Sequence, residues 1–198
     1  MRLVHFAGFP KCGKTDIIRR VCENKGACFI GNNEASAEIM SPVCKNVDSF
    51  PFKSPCARIR QYSYRVDLMK EKSPSVIITE SPGNCLEVSA PMLNQIYIND
   101  KATELGPLIT VIDGRLIKKD VSKRDSEGLR LYNMIDESDV VVVTFADLLS
   151  DDDLKMIGEN ISEINEDARI IISTPDSDLS DLKEIVFGDY RYSRPLYN

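Results

Sequence analysis

A three-layer α/β fold, a mainly parallel sheet with helices on both faces, is predicted for these 198 residues by three observations. Short β-branched runs alternate with segments of helical period, each run is apolar nearly throughout, and a glycine-bounded loop follows the first run directly. The runs place strands at Arg2–Ala7, Ala27–Gly31, Val76–Thr79, Leu108–Ile112, Val140–Thr144 and Arg169–Ser173. Helical spacing falls at Lys14–Asn24, Ala57–Lys70, Ser89–Asn99, Ser126–Ile135 and Asp151–Ile164. The length is that of a single domain, so residues 1–198 are read as one globular α/β domain. Two segments stand apart: Ser41 to Pro55, broken by Pro42, Pro51 and Pro55, is expected to be a long loop able to switch, and Phe187 to Asn198 a Tyr/Arg-rich tail.

Composition narrows the function. A net charge of −6 argues against nucleic acid and anionic membranes as partners, which call for a concentrated positive face. No apolar run approaches the roughly 20 residues needed to cross a bilayer, and the chain starts in a strand pattern rather than a leader, so a cytoplasmic protein is expected. Six cysteines lie irregularly within the first 85 residues, without a Cys-x-x-Cys pair, and are read as reduced thiols. The single histidine, His5, falls inside the first strand and reads as a core residue rather than a ligand.

The loop after the first strand, Gly8-Phe-Pro-Lys-Cys-Gly-Lys-Thr15, fits G-x-x-x-x-G-K-[ST] and opens a helix. Strand, loop and helix come in the order a phosphate loop requires, and the fold is accordingly that of a P-loop NTPase. Gly8 and Gly13 free the backbone to turn successive N–H groups toward phosphates, and the helix amino terminus adds its dipole. Lys14 is expected on the β- and γ-phosphates and the Thr15 hydroxyl on Mg²⁺. Within the loop, Lys11 either adds charge near the γ-phosphate or is a solvated lysine, and Cys12 either lines the nucleotide or is a small filler. A purine nucleotide, GTP/GDP or ATP/ADP, is the expected ligand.

A second motif follows downstream. Val76-Ile-Ile-Thr-Glu-Ser-Pro-Gly83 is an apolar strand ending in an acid, with glycine three residues on. There Glu80 can hold Mg²⁺ through its water shell, and the Gly83 N–H can sense the γ-phosphate.

With glutamate in Glu80-Ser-Pro-Gly-Asn84, where many P-loop proteins have aspartate, the chain resembles the CobW/HypB/UreG family of metallocentre-maturation GTPases. Asn33-Glu34 is similar to that family's first switch, Ser138 to Leu148 to its fifth strand and base-reading motif, and Asn165-Glu-Asp-Ala168 continues the match over about residues 2 to 173. The resemblance implies a nucleotide-driven factor that helps load a metal or metallocofactor into a client enzyme, often as a homodimer. The family's Cys-x-Cys-Cys or Cys-Pro-His cluster is replaced by a lone Cys56; Cys44, Cys56 and Cys85 are the thiols that a dimer could bring together around a soft metal.

Asn-Lys-x-Asp reads guanine through an aspartate that accepts from N1–H and the 2-amino group. Here the aligned residues are Thr144, Phe145, Ala146 and Asp147, so the acid is kept and both helpers are replaced. Phe145 either stacks on the purine or ends the strand as a core residue. Asp147 tilts the base toward guanine, because adenine N1 carries no proton. Thr174-Pro-Asp176 forms the opposite wall. Lys14, Glu80 and Glu34 are the candidate catalytic residues, with Asp48 a further carboxylate whose role is not separable from theirs. The favoured function is Mg²⁺-dependent hydrolysis of GTP; a small-molecule kinase, with residues 41–55 holding the acceptor, and a nucleotide-binding regulator without turnover are the alternatives.

Overall fold

The computed structural model describes residues 1–51, 58–83, 89–117 and 126–193. Strands β1 (Arg2–Ala7), β2 (Cys28–Gly31), β3 (Asn46–Ser49), β4 (Val76–Glu80), β5 (Glu104–Asp113), β6 (Val140–Thr144) and β7 (Arg169–Ile172) form one sheet in the order β3-β2-β4-β1-β5-β6-β7. Every pairing in it is parallel. The crossovers are made by α1 (Lys14–Cys22), α2 (Glu34–Met40), α3 (Ile59–Lys70), α4 (Ser89–Asn99), α5 (Ser126–Asp136) and α6 (Asp151–Ile164), and α7 (Ser180–Phe187) follows the last strand. This is the predicted three-layer α/β architecture of a P-loop NTPase.

Alternate residues of each strand serve opposite layers. On one face Val4, Phe6, Phe29, Ile78 and Val111 pack against Ile17, Ile18 and Val21 of α1 and Leu182 and Val186 of α7. On the other, Leu3, Ile30, Ile77 and Leu108 pack against Tyr62 and Val66 of α3 and Leu93 and Ile96 of α4. Further along that face, Val141 and Val143 meet Ile135 of α5 and Ile157 and Ile161 of α6. Because β1, β4, β5 and β6 are covered on both sides, they are apolar without alternation, which is what made them visible in the sequence.

The structure adds elements where the pattern was silent. The stretch read as a loop from Ser41 to Pro55 carries β3, a four-residue edge strand, Asn-Val-Asp-Ser, that is only half buried and so has no apolar signature. Helix α2 is seven residues long, too short for a periodic stripe; it is set by a capping box in which Asn33 accepts from the Ser36 N–H and Ser36 in turn from Asn33. Strand β5 begins four residues before Leu108. Gly106-Pro107 reads as a turn, but here it forms an irregularity: Leu3 pairs with Leu105 and His5 with Leu108, leaving the proline, which has no N–H, off the ladder.

The described part of the tail is docked. Tyr192 N donates to Leu105 O at 3.3 Å, and Ser193 N to Asp139 Oδ1 at 3.0 Å, at the amino-terminal ends of β5 and β6. Asp139 is buried there and also accepts from Leu108 N at 2.9 Å. Arg194 and Tyr197 lie outside the described residues.

Candidate functional site

The carboxyl ends of β1, β2, β4, β5 and β6 converge on the loop Gly8–Gly13, the place where ligands bind in open parallel sheets. Gly8 has φ 141°, and a Cβ there would stand 2.3 Å from the Val111 carbonyl oxygen, so only glycine lets β1 turn into the loop. Lys11 and Gly13 also lie in the left-handed region, at φ 66° and 85°, and Gly13 caps α1 without a side chain. The resulting curl brings Lys14 back over the loop: its buried ammonium donates to Gly8 O at 3.1 Å and Phe9 O at 3.5 Å. Beside it opens a cleft of about 600 Å³ lined by Lys11, Gly13, Lys14, Thr15, Asn32 and Pro82.

Glu80 ends β4, and its carboxylate is 2% exposed. Thr15 Oγ1 donates to Glu80 Oε2 at 2.9 Å, so the hydroxyl and the acid expected at a Mg²⁺ site already meet. The other oxygen accepts from Asn32 N at 3.3 Å, and Asn32 Nδ2 donates to Ser81 O at 3.0 Å. Sequence reasoning passed over Asn32; the signal that could have found it is its position one residue beyond an apolar strand, beside the conspicuous Asn33-Glu34. Gly83, at φ 69°, rests on the phosphate loop, and a Cβ there would lie 2.3 Å from Gly8 O. Cys12 turns the other way: its side chain belongs to the core and burial pushes its thiol pKa up, leaving its backbone as its contribution to the loop.

His5 lies beneath Lys14, with Nδ1 2.8 Å from Thr79 Oγ1. Burial, and then the Lys14 charge, push its pKa down to about 3, so it is a neutral core residue at any ordinary pH.

At the base side, the Thr144 hydroxyl lies 2.7 Å from Cys12 O and 2.9 Å from Ile112 O, tying the phosphate loop to β5 and β6. Phe145 is half buried with φ 56°, and Asp147 is exposed within the single 3-10 turn that follows. The Arg115 guanidinium lies 3.9 Å from the Phe145 ring centre. It pairs with Asp113 through Nε at 2.9 Å and Nη2 at 2.7 Å. These hydrogen bonds chiefly, with the fields of Asp113 and Asp147, raise the Arg115 pKa above its ordinary value. The loop after β7 is tied to the residue that follows Phe145: Ala146 N reaches Ser173 O at 3.4 Å, and Arg20 donates to Thr174 O at 3.1 Å and Ser177 O at 2.7 Å.

With a phosphate loop, a buried strand-end glutamate and a base-side loop in one row, the comparisons with known proteins are decisive. The model of the CobW/HypB/UreG nucleotide-binding domain matches residues 2–172. The chain belongs to this family. Among curated proteins, none matches the sequence significantly. Solved structures that share the fold include hydrogenase maturation factor HypB from Archaeoglobus fulgidus, at TM-score 0.67 and 15% identity over 93% of this chain and 87% of that one. Zn(II)-bound YjiA GTPase from E. coli has TM-score 0.64 and 14% identity over 100% and 67%. Signal recognition particle 54 kDa protein from Aeropyrum pernix, in complex with GDP, has TM-score 0.54 and 13% identity over 88% and 42%.

In this CobW/HypB/UreG chain the remaining predicted residues are dispersed. Glu34 is exposed in the first turn of α2, one residue past its cap. Asp48 lies on β3, paired with Arg65 at 2.9 Å and accepting from Ser49 N at 2.8 Å, apart from the Thr15–Glu80 pair. Cys44 is buried in the α1-side core with Cys22, whose thiol is pushed up by its hydrogen bond with Cys44 and by burial. Cys56 and Cys85 lie outside the described residues. Among the described residues no group of three or more His, Cys, Asp or Glu is arranged to hold a metal, and no helix is long and apolar enough to cross a membrane.

Proposed function

We propose that this chain is a Mg²⁺-dependent nucleoside-triphosphate hydrolase, favouring GTP over ATP, that assists metal or metallocofactor assembly in a client enzyme. The observation that carries this reading is the convergence of Lys14, Thr15, Glu80 and Asn32 at the head of the phosphate loop. The Lys14 ammonium now bonds neutral carbonyls; a phosphate oxygen is a stronger, charge-assisted acceptor in reach of the same curl. Thr15 and Glu80 offer an oxygen-only donor set suited to a hard cation, so they would hold Mg²⁺, Thr15 directly and Glu80 through water. Bound there, the ion would supply neutralisation of phosphate charge. Gly83 rests on Gly8, and its N–H would report the γ-phosphate. Glu34, at the exposed start of α2, is the acid proposed to orient the attacking water once nucleotide draws that segment toward the cleft.

Base choice rests on Asp147, which would accept the two donors on guanine and meet an unprotonated N1 in adenine. The hydrogenase maturation factor and the Zn(II)-bound GTPase among the solved structures that share the fold support metal handling; the partners would be a second copy of this chain, as a homodimer, and a client metalloenzyme, and the location the cytoplasm. Residues 1–198 would act as a single nucleotide-binding domain, and Cys56 and Cys85 would be the thiols available to a soft metal.

Calorimetric titration with GDP and ADP in Mg²⁺ tests the proposal. GDP should bind more tightly, and Asp147→Ala should remove about ten-fold or more of that preference, the worth of a hydrogen-bonded charged acceptor. ADP binding as tightly as GDP would overturn the base assignment. Phosphate release from GTP without an acceptor, abolished by Lys14→Ala, is expected; GDP formation only on adding an acceptor, with the phosphoryl group on that acceptor, would make the protein a kinase. Metal analysis of the reduced protein against Cys56→Ser tests metal handling, and no bound zinc or nickel in either would refute it.

A further inference from the structure

We infer that Phe145 is a stacking platform for the purine, held in its working orientation by the Asp113–Arg115 pair, which makes Arg115 a positioning residue of the nucleotide site. The inference rests on the nucleotide-binding proposal above and deepens it. Phe145 stands where the family motif has a lysine whose stem covers the base, and it adopts φ 56°, a conformation costly for a bulky residue unless the surroundings hold it there. What holds it is visible. Asp113 and Thr144 pair in the β5–β6 ladder, so the residues just beyond them, Arg115 and Phe145, emerge side by side. Asp113 is 7% exposed and grips Arg115 through two side-chain hydrogen bonds as well as through the Arg115 backbone N–H at 3.0 Å. The guanidinium is thereby fixed 3.9 Å from the ring centre, a cation–π distance.

Topology says which side is left for the ligand. Arg115 comes from β5, and β7 lies on the opposite side of β6. The loop after β7, tied to Ala146 by Ser173 O and pinned by Arg20, therefore lies across β6 from Arg115, and a planar base would stack on the face of the Phe145 ring that the guanidinium does not cover. A layered arrangement results: guanidinium, phenyl ring, purine. Such a platform contributes affinity for any purine, because every base has a π-face, and leaves base identity to Asp147.

The chain has no tryptophan, so Phe145→Trp introduces a single reporter at the platform itself. GDP should quench its emission and pyrophosphate should not. In the native background, Arg115→Ala should weaken GDP binding about two- to five-fold, the effect of losing an exposed cation–π support, and Phe145→Ala about ten-fold, the effect of losing a base–aromatic stack. Both should leave Mg²⁺–pyrophosphate binding unchanged, and Asp113→Asn should reproduce Arg115→Ala. In the Phe145→Trp background, Arg115→Ala should diminish the GDP quench. The inference is overturned if Arg115→Ala leaves GDP affinity and the quench unaltered, if it tightens GDP binding, or if it weakens GDP and pyrophosphate alike. Wild-type protein that binds pyrophosphate as tightly as GDP would refute the platform and leave the phosphate site standing; binding of neither would remove both proposals.

Discussion

The Thr15–Glu80 contact permits a quantitative test that separates structure from function. Thr15→Val keeps the side-chain shape and deletes the hydroxyl that donates to Glu80 Oε2 at 2.9 Å. Glu80 is then left with Asn32 N at 3.3 Å as its remaining donor among the described residues while 2% exposed, so little water can replace what is lost. Hydrogen bonds to charged groups are worth about 1.5–3 kcal/mol, and because Thr15 itself is only half buried the lower part of that range applies, about 1.5–2 kcal/mol of stability. Glu80→Gln removes the charge but keeps an oxygen that can accept from either partner, at a cost of about 0.5–1 kcal/mol. Urea unfolding of the two single variants and the double, without Mg²⁺ or nucleotide, should give a coupling of about 1 kcal/mol. Saturating Mg²⁺–GDP should then stabilise the wild type by about 2.7 kcal/mol at a hundredfold excess over Kd, and both single variants far less. Additivity within about 0.3 kcal/mol would show that hydroxyl and carboxylate do not interact; equal Mg²⁺–GDP stabilisation of wild type and both variants would refute their proposed role as the cation site.

Two further outcomes follow from the same neighbourhood. Gly83→Ala would put a methyl group 2.3 Å from Gly8 O and 2.9 Å from the Phe9 carbonyl carbon, backbone atoms that cannot swing aside, at a residue with φ 69°; the turn must lift from the phosphate loop, and thermal unfolding should show a loss of about 2–3 kcal/mol. His5, with its pKa at about 3 in the fold against 6.5 when free, binds its proton more readily in the unfolded chain. Stability from its neutral form is therefore complete above pH 6.5 and falls as the pH drops toward 3; by pH 4 the loss should be about 3 kcal/mol, and His5→Leu should flatten that part of the denaturation profile. An unchanged slope in the variant would contradict the buried, neutral histidine.

What the sequence disclosed and what it hid divide along locality. Gly8 to Thr15 is a contiguous motif whose geometry is set by its own glycines, and Glu80 is marked by the apolar strand it ends, so both could be read in one dimension. Asn32 is marked only by its place just beyond β2; its N–H meets Glu80 because β2 lies beside β4 in the sheet, two strands separated by α2, β3 and α3 in the chain. Strand β3 escaped notice for an energetic reason. An edge strand covered on neither side completely gains little from apolar residues, and Asn46, Asp48 and Ser49 are what remains. Asp48 looked like a switch carboxylate and is engaged by Arg65, a partner from α3 that no spacing rule names.

The altered base motif shows why a missing consensus residue is poor grounds for a missing task. Asparagine in that motif joins the base loop to the phosphate loop; here the Thr144 hydroxyl reaches Cys12 O and Ile112 O and makes the same union with a smaller side chain. If Phe145, backed by Arg115, covers the purine, the second task is met as well, and only recognition of base identity is left to one residue. Asp147 is exposed, and a hydrated carboxylate discriminates weakly, because water serves as donor whenever the base does not. On the proposed reading, a preference for guanine would grow as the base and the loop after β7 exclude water from it. Affinity and selectivity would then be separable in this site, the first resting on Lys14, Thr15 and the proposed aromatic platform, the second on how far the bound base desolvates a single acid.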